Sequence, residues 1–291
     1  MTDFDVLMVG NFARDKLIVD GVEQISSGGG VYYGSMAIRR LGLTVAVATR
    51  LHPDDFPRLE ELEKAGVVVF ATRAEDTSGI ANYYRSENME SRDCVPIGFG
   101  GCFVPENIPD IHPKVILVTP LYEGELDLQM LELLSGRAPL GLDIQGFVRV
   151  IRDGRLVFES WPQISEGLKL VHYLKVDKAE AQCLTGLSDI QQAARALAAM
   201  GPKEIVLTQT SGVTVLVDGE FHQAPFNPRS LAGRTGRGDT CFSTYIARRL
   251  YDSAQNACRW AAVITSQKQE TPGPWAGTPE EVAGILKLDQ A

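Results

Sequence analysis

The sequence predicts an α/β protein with a largely parallel sheet, helices on both faces and a small β lid. Short apolar runs alternate with helical periodicity through most of the chain, the pattern of a parallel sheet covered on both sides. One stretch, from about 77 to 109, loses the helical period. Residues 6–9 read as the first strand, and Gly34, Ala37, Ile38 and Leu41 form one helix face before a second strand at 45–48. Apolar runs at 67–70, 115–118, 140–142, 170–174 and 205–207 repeat the buried-strand signal, and a helix is expected over 189–200. Asp153-Gly154 and Asp218-Gly219 lie between β-prone runs and predict two antiparallel hairpins. Within 77–109, Ile80, Asn82 and Tyr84 alternate before glycine and polar residues take over. With residues 17–25 this segment is expected to form a lid over the strand ends, where open α/β sheets bind ligands. A decorative surface insertion is the alternative. No internal repeat or low-complexity linker divides the chain, so 1–291 reads as one domain with that lid.

A chain of 291 residues with 44% hydrophobic content can bury a substantial core. Its net charge of −9 argues against a nucleic-acid partner, which needs a lysine and arginine footprint. Residues 1–9 contain neither a basic region nor a long apolar stretch, and no segment approaches the ~18 apolar residues of a membrane span. A cytoplasmic protein with no membrane partner is the expectation. The cysteines, Cys94, Cys102, Cys183, Cys241 and Cys258, are odd in number and form no Cys-x-x-Cys pair, which suits reduced thiols. The histidines at 52, 112, 172 and 222 are scattered, so no zinc site is expected.

The most informative segment is Ala232-Gly233-Arg234-Thr235-Gly236-Arg237-Gly238-Asp239-Thr240-Cys241-Phe242. Glycines before a helix let backbone N–H groups turn inward, the helix adds the positive end of its dipole, and phosphate is the usual guest. A carboxylate among such donors suits a base that deprotonates an attacking hydroxyl. The competing reading makes Asp239 a cap of the helix bearing Phe242, Tyr245, Ile246 and Leu250. Other motifs fail. Tyr33 stands where a dinucleotide fingerprint starting at Gly28 would need glycine, and Gly10 is not followed by the glycine of a Gly-x-x-x-x-Gly-Lys loop. A serine nucleophile elbow is likewise absent.

Taken in order, these segments resemble the ribokinase-like (PfkB) family of carbohydrate kinases over nearly the whole chain. Gly233 to Asp239 is similar to the family's C-terminal Asp-Thr-x-Gly-Ala-Gly-Asp signature. Gly10 with Asp15 resembles its first strand and sugar-binding aspartate, and Gly28-Gly29 through Leu41-Gly42 its double-glycine segment and helix. Lys175 to Gly186 sits where the family has Asn-x-x-Glu followed by Leu-Thr-Gly, and Thr208 to Gly212 resembles its nucleotide-side strand and turn. The resemblance implies a ribokinase-like fold and transfer of the γ-phosphoryl group of ATP, with Mg2+, to a hydroxyl of a sugar or cyclitol. It implies Asp239 as general base, with the N–H groups of Gly236, Arg237 and Gly238 as the anion hole. Asp15, Gly28, Gly29, Tyr33, Asn82, Gln145 and Arg149 are the expected acceptor contacts, and Lys175, Lys178, Thr208, Thr210, Gly212 and Gly273 the expected nucleotide-side residues. Backbone donors do not depend on side-chain identity, so Arg237 in place of the usual alanine leaves the hole intact.

Several positions depart from the family. Lys175 and Lys178 replace the asparagine and glutamate that organise the metal and phosphate region. Glu180 is a candidate metal ligand, although two residues along a helix rotate a side chain by roughly 200° from position 178. Lysine charge is expected to take over part of the metal's role. Tyr33 stands where the family has a sugar-contacting asparagine, which disfavours ribose; Tyr33, Gln145 and Arg149 suit a six-membered polyol. A non-catalytic sugar or nucleotide sensor and a nucleoside kinase are the alternative readings. The exposed edge of a β lid also offers a surface for a homodimer.

Overall fold

The computed structural model describes residues 3–85 and 87–288. Its main sheet has nine strands in the order β15-β14-β13-β12-β9-β8-β1-β4-β5. The central strands are β1 (Phe4–Val9), β4 (Val45–Leu51), β5 (Val68–Arg73), β8 (Pro113–Val118), β9 (Leu140–Asp143), β12 (Tyr173–Asp177) and β13 (Glu204–Thr208), and every adjacent pair among them is parallel. At one edge β14 (Gly212–Val217) and β15 (Glu220–Pro225) add antiparallel pairings. The smaller sheet, in the order β3-β2-β6-β7, comprises β2 (Ala13–Val19), β3 (Val22–Gly28), β6 (Ile80–Arg85) and β7 (Asn88–Pro96). A separate hairpin joins β10 (Arg149–Arg152) to β11 (Arg155–Phe158).

Burial on both faces explains why the central strands read as continuous apolar runs. In β1, Val6 and Met8 enter one core cluster while Leu7 and Val9 enter the other, and all four are fully buried. Each such side chain contributes roughly 1.5–3 kcal/mol of hydrophobic stabilisation. The first cluster is covered by α1 (Gly30–Arg40), with α2 (Glu60–Lys64) at its margin, and by α8 (Arg237–Arg249) and α9 (Ala254–Glu270). Covering the second are α3 (Leu128–Ser135), α4 (Gln145–Val148), α5 (Ile164–Gly167), α6 (Lys178–Thr185) and α7 (Ile190–Ala198). The last helix, α10 (Pro279–Leu288), packs on α9 through Val282 and Leu286.

Both Asp-Gly hairpins form: Asp153 and Gly154 have φ of 50° and 73°, and Asp218 and Gly219 have 49° and 82°. Such left-handed pairs match the twist of a two-residue hairpin. Asp20-Gly21, with φ of 48° and 85°, makes a third turn, between β2 and β3, that the sequence reading passed over. Two expectations need correction. Residues 168–170 form a short 3-10 turn and the strand expected at 170–174 starts at Tyr173, because Leu168 and Val171 pack into the core from the turn instead. The small sheet also ends at Pro96 rather than near 109: Phe103 and Ile108 belong to the main core.

Candidate active site

The carboxyl ends of the parallel strands converge on one cleft of about 190 Å3. This is the ligand-binding end of an open α/β sheet. Asp143 closes β9, Lys175 and Asp177 sit at the end of β12, and Thr208 closes β13; all four line the cleft. From the small sheet come Asp15 and Asn82, from α1 and its N-cap Tyr33 and Gly29, and from the hairpin entry Gln145 and Arg149. The segment Arg234 to Asp239 completes the wall.

That segment becomes a helix at Gly236, the N-cap of α8, with φ of 82° and no side-chain cap. Asp239 lies in the first turn but is not the cap residue, so the capping reading fails. A Cβ on Gly236 would lie 2.3 Å from the Tyr33 ring, and one on Gly30 would lie 3.0 Å from Asp239 Oδ1. Glycine is thus required where the loop presses on Tyr33, and where α1 passes the carboxylate. Burial raises the pKa of Asp239, opposed by the charges of Lys175, Arg149 and Lys268. Raising a carboxylate's pKa makes it a better proton acceptor, provided it remains ionised at the working pH.

Lys175 is the central cation. Its Nζ lies 3.1 Å from Asp143 Oδ1 and 3.4 Å from Glu180 Oε2, and all three residues are buried. The same Nζ is 3.4 Å from where a Cβ on Gly238 would stand, so the ammonium sits against the glycine loop. Desolvation lowers its pKa, but Asp143, Glu180, Asp177 and Asp239 together hold it above the ordinary lysine range.

Glu180, the metal ligand the sequence suggested, is placed beside Lys175 instead of beside other carboxylates that could share an ion. It is fully buried at the third position of α6, where its Oε2 accepts the Asp177 N–H at 2.6 Å while Asp177 Oδ1 accepts the Glu180 N–H at 2.8 Å. This capping box, together with Lys175, engages Oε2, while Oε1 is buried without a hydrogen-bond partner. Among the described residues no group of three or more His, Cys, Asp or Glu could hold a metal ion. The carboxylates nearest the loop face an ammonium, so these residues do not fit a protein-held Mg2+. Lys178 is a second correction: it is exposed on the first turn of α6 and does not line the cleft, because a helix start turns it away from the strand end.

On the opposite wall, Asp15 is buried and its Oδ1 accepts the Ile80 N–H at 2.8 Å, tying β2 to β6. A Cβ on Gly28 would stand 2.3 Å from Asp15 Oδ2, so Gly28 acts by admitting that carboxylate and does not itself line the cleft. Asn82 donates to the Ile80 carbonyl at 3.3 Å, and Gln145 Nε2 donates to the Leu121 carbonyl at 3.2 Å. Gly273 lines an adjoining pocket beneath the small sheet together with Tyr33 and Lys268. Thr210 is exposed and Gly212 faces a separate surface groove, so the structure does not bring these two to the cleft. The turn between β13 and β14 carries them past the strand end. Asp143, Asp177, Arg234 and Thr235 also line the cleft, beyond the residues the sequence predicts. Their position at strand ends or inside the glycine loop was the available signal.

A cleft that places a carboxylate beside a glycine-capped helix start and a buried ammonium is built for phosphoryl transfer. No family model matches the chain. It is 33% identical to a pyrophosphate-dependent kinase in the ribokinase family, solved as a sulfate complex, with a TM-score of 0.89 over 96% of this chain and 99% of that one. A pyrophosphate-dependent kinase of that family complexed with a pyrophosphate analog and myo-inositol is 32% identical, with a TM-score of 0.89 and the same coverages of 96% and 99%. Cytidine kinase of Thermococcus kodakarensis is 23% identical over 262 residues, 84% of this chain and 87% of the relative. The chain belongs to the ribokinase family and is a phosphotransferase acting on a hydroxyl group. Among the described residues no helix is long and apolar enough to cross a membrane.

Proposed function

We propose that this enzyme transfers a phosphoryl group from inorganic pyrophosphate to a hydroxyl of a cyclitol or related polyol. The observation that carries the donor is how charge is divided in a cleft of about 190 Å3: Arg234, Arg237 and the start of α8 form its loop wall with Lys175 against them and Arg149 nearby, while of the four carboxylates that also line it Asp143 is paired to Lys175 and Asp15 lies on the opposite wall. A compact polyanion such as pyrophosphate is matched by cations and backbone donors on one wall, and needs no nucleoside pocket. In this reading the N–H groups of Gly236 and Gly238, joined by that of Arg237 once it leaves the Arg234 carbonyl to which it donates at 3.2 Å, hold the transferring phosphoryl group, and Lys175 neutralises charge developing on it. Asp239 takes the proton of the acceptor hydroxyl, the acceptor oxygen bonds to phosphorus, and the bridging P–O bond breaks to release orthophosphate. Asp15, Asn82, Tyr33 and Gln145 orient the acceptor, and the small sheet closes over it as a lid that excludes water.

The relatives complexed with myo-inositol and dependent on pyrophosphate support the same pairing of substrates. A second reading keeps ATP as the donor. A groove of about 810 Å3 lined by Gln223, Arg229, Gln255, Ser266 and Glu270 offers room for a nucleoside alongside α9. Measuring phosphorylated product with pyrophosphate or ATP, across myo-inositol, other cyclitols, ribose and cytidine, decides between them. Turnover of a cyclitol with pyrophosphate alone is the expected result, whereas ATP-only turnover, or cytidine as the preferred acceptor, contradicts the proposal. A sensor would bind without producing orthophosphate. The edge strand β3 exposes Val22 and Ile25, which favours a homodimer through the lid; sedimentation showing a monomer at micromolar concentration would contradict that.

A further inference from the structure

Lys268, in the last turn of α9, is 1% exposed, and its Nζ donates to the Gly233 carbonyl at 2.6 Å. The same ammonium lies 5.1 Å from the centroid of the Tyr33 ring, within cation–π range. Tyr33 in turn is the ring on which Gly236 rests. Gly233 is fastened a second time, its N–H donating to the Gln269 carbonyl at 2.8 Å, and a Cβ there would lie 1.7 Å from the Thr271 carbonyl oxygen. The root of the anion loop is therefore held by two hydrogen bonds from the end of one helix, only one of them charged, and Thr271 leaves no room there for a side chain.

Resting on the phosphotransferase reading, we infer that Lys268 is a positioning residue of the anion loop: its ammonium fixes the Gly233 carbonyl and the Tyr33 ring, and through them the direction of the N–H groups at 236–238. A neutral amine would keep the volume but lose the cation–π contact and most of the grip on the carbonyl. Burial lowers the pKa of Lys268 to about 8, against the pull of Asp239. Asp239 from α8 acts on it through its charge, and Tyr32 and Tyr33 from α1 and Asp15 and Lys16 from β2 line the same pocket. The ammonium is therefore present below about pH 8 and is lost above it, so anion binding by the loop weakens as pH rises through that value.

The test uses sulfate, whose charge is constant over this range, titrated calorimetrically against the full-length protein from pH 6.5 to 9.5. The native protein should lose about tenfold in sulfate affinity across pH 8. Lys268→Met should bind weakly at pH 7 and show no step, with kcat for the preferred donor falling more than the acceptor KM changes. Native affinity and a native pH step in Lys268→Met would overturn the inference. Lys268→Gln is the second variant; if neither folds, the native profile decides, a flat curve overturning the inference. Because sulfate binding needs no turnover, an enzyme inactive with every donor would refute the proposed function and leave this result readable.

Discussion

The two walls of the cleft are built by different means. The donor wall is mostly local sequence: a glycine-capped helix start, with Arg234 to Asp239 contiguous in the chain, to which Arg149 and Lys175 add charge from β10 and β12. The acceptor wall is assembled from side chains of separate segments, with Asp15 from β2, Tyr33 from α1, Asn82 from β6 and Gln145 from α4. A backbone anion site tolerates changes of side chain, as Arg237 illustrates. A side-chain wall sets specificity, and its chemistry changes with each substitution. Donor-side variants should therefore lose rate, and acceptor-side variants should lose affinity.

The largest effect is expected from Asp239→Asn, which keeps the shape and removes the base: kcat should fall by about 10²–10⁴ with pyrophosphate affinity retained. Less than a tenfold fall would break the donor-side assignment. Lys175→Met should come next. It leaves Asp143 and Glu180 buried without their cation, costing about 3–5 kcal/mol of stability, and it should also weaken donor binding. Thermal unfolding and donor KM check both parts, and an unchanged melting temperature would show that the ion cluster is not load-sharing. Asp15→Asn should raise the acceptor KM by about tenfold or more while kcat changes little, the loss of a charged hydrogen bond to the acceptor. A kcat loss as deep as that of Asp239→Asn would erase the distinction between the walls.

The smallest effect is a shift in pH dependence. Burial raises the pKa of Asp239 and Lys175 lowers it, so activity should fall with decreasing pH as the base is protonated, at a pH above the ordinary aspartate range. In Lys175→Met this acid limb should move to higher pH, because the lowering charge is gone. Sufficient residual activity for a pH–rate profile checks it; a limb that stays in place assigns the titration to another group.

The same contrast explains what the sequence disclosed. The alternation of strands and helices was legible because both faces of β1, β4, β8 and β13 are buried and therefore apolar. The glycine loop was legible because its donors, turn and base follow one another within a few residues. Asp143 was harder to assign: its pairing with Lys175 joins neighbouring strands through residues 32 positions apart, and the sequence alone does not give that register. Lys178 and Glu180 misled for a related reason, since a helix begins between the strand end and Lys178 and turns one residue outward and the other into a capping box. Lys268 carried no signal at all. A lysine in a helix usually reads as a solvated face, and only the approach of Gly233 to the end of α9 makes it a buried one.

The most direct measurement is a crystal structure with a non-hydrolysable pyrophosphate analog and myo-inositol bound. The account predicts a phosphoryl group on the N–H groups of residues 236–238, beside Lys175 Nζ, and an acceptor hydroxyl oxygen about 2.6–3.2 Å from an Asp239 carboxylate oxygen. An anion bound away from that loop, or a polyol whose hydroxyls all point away from Asp239, would contradict it.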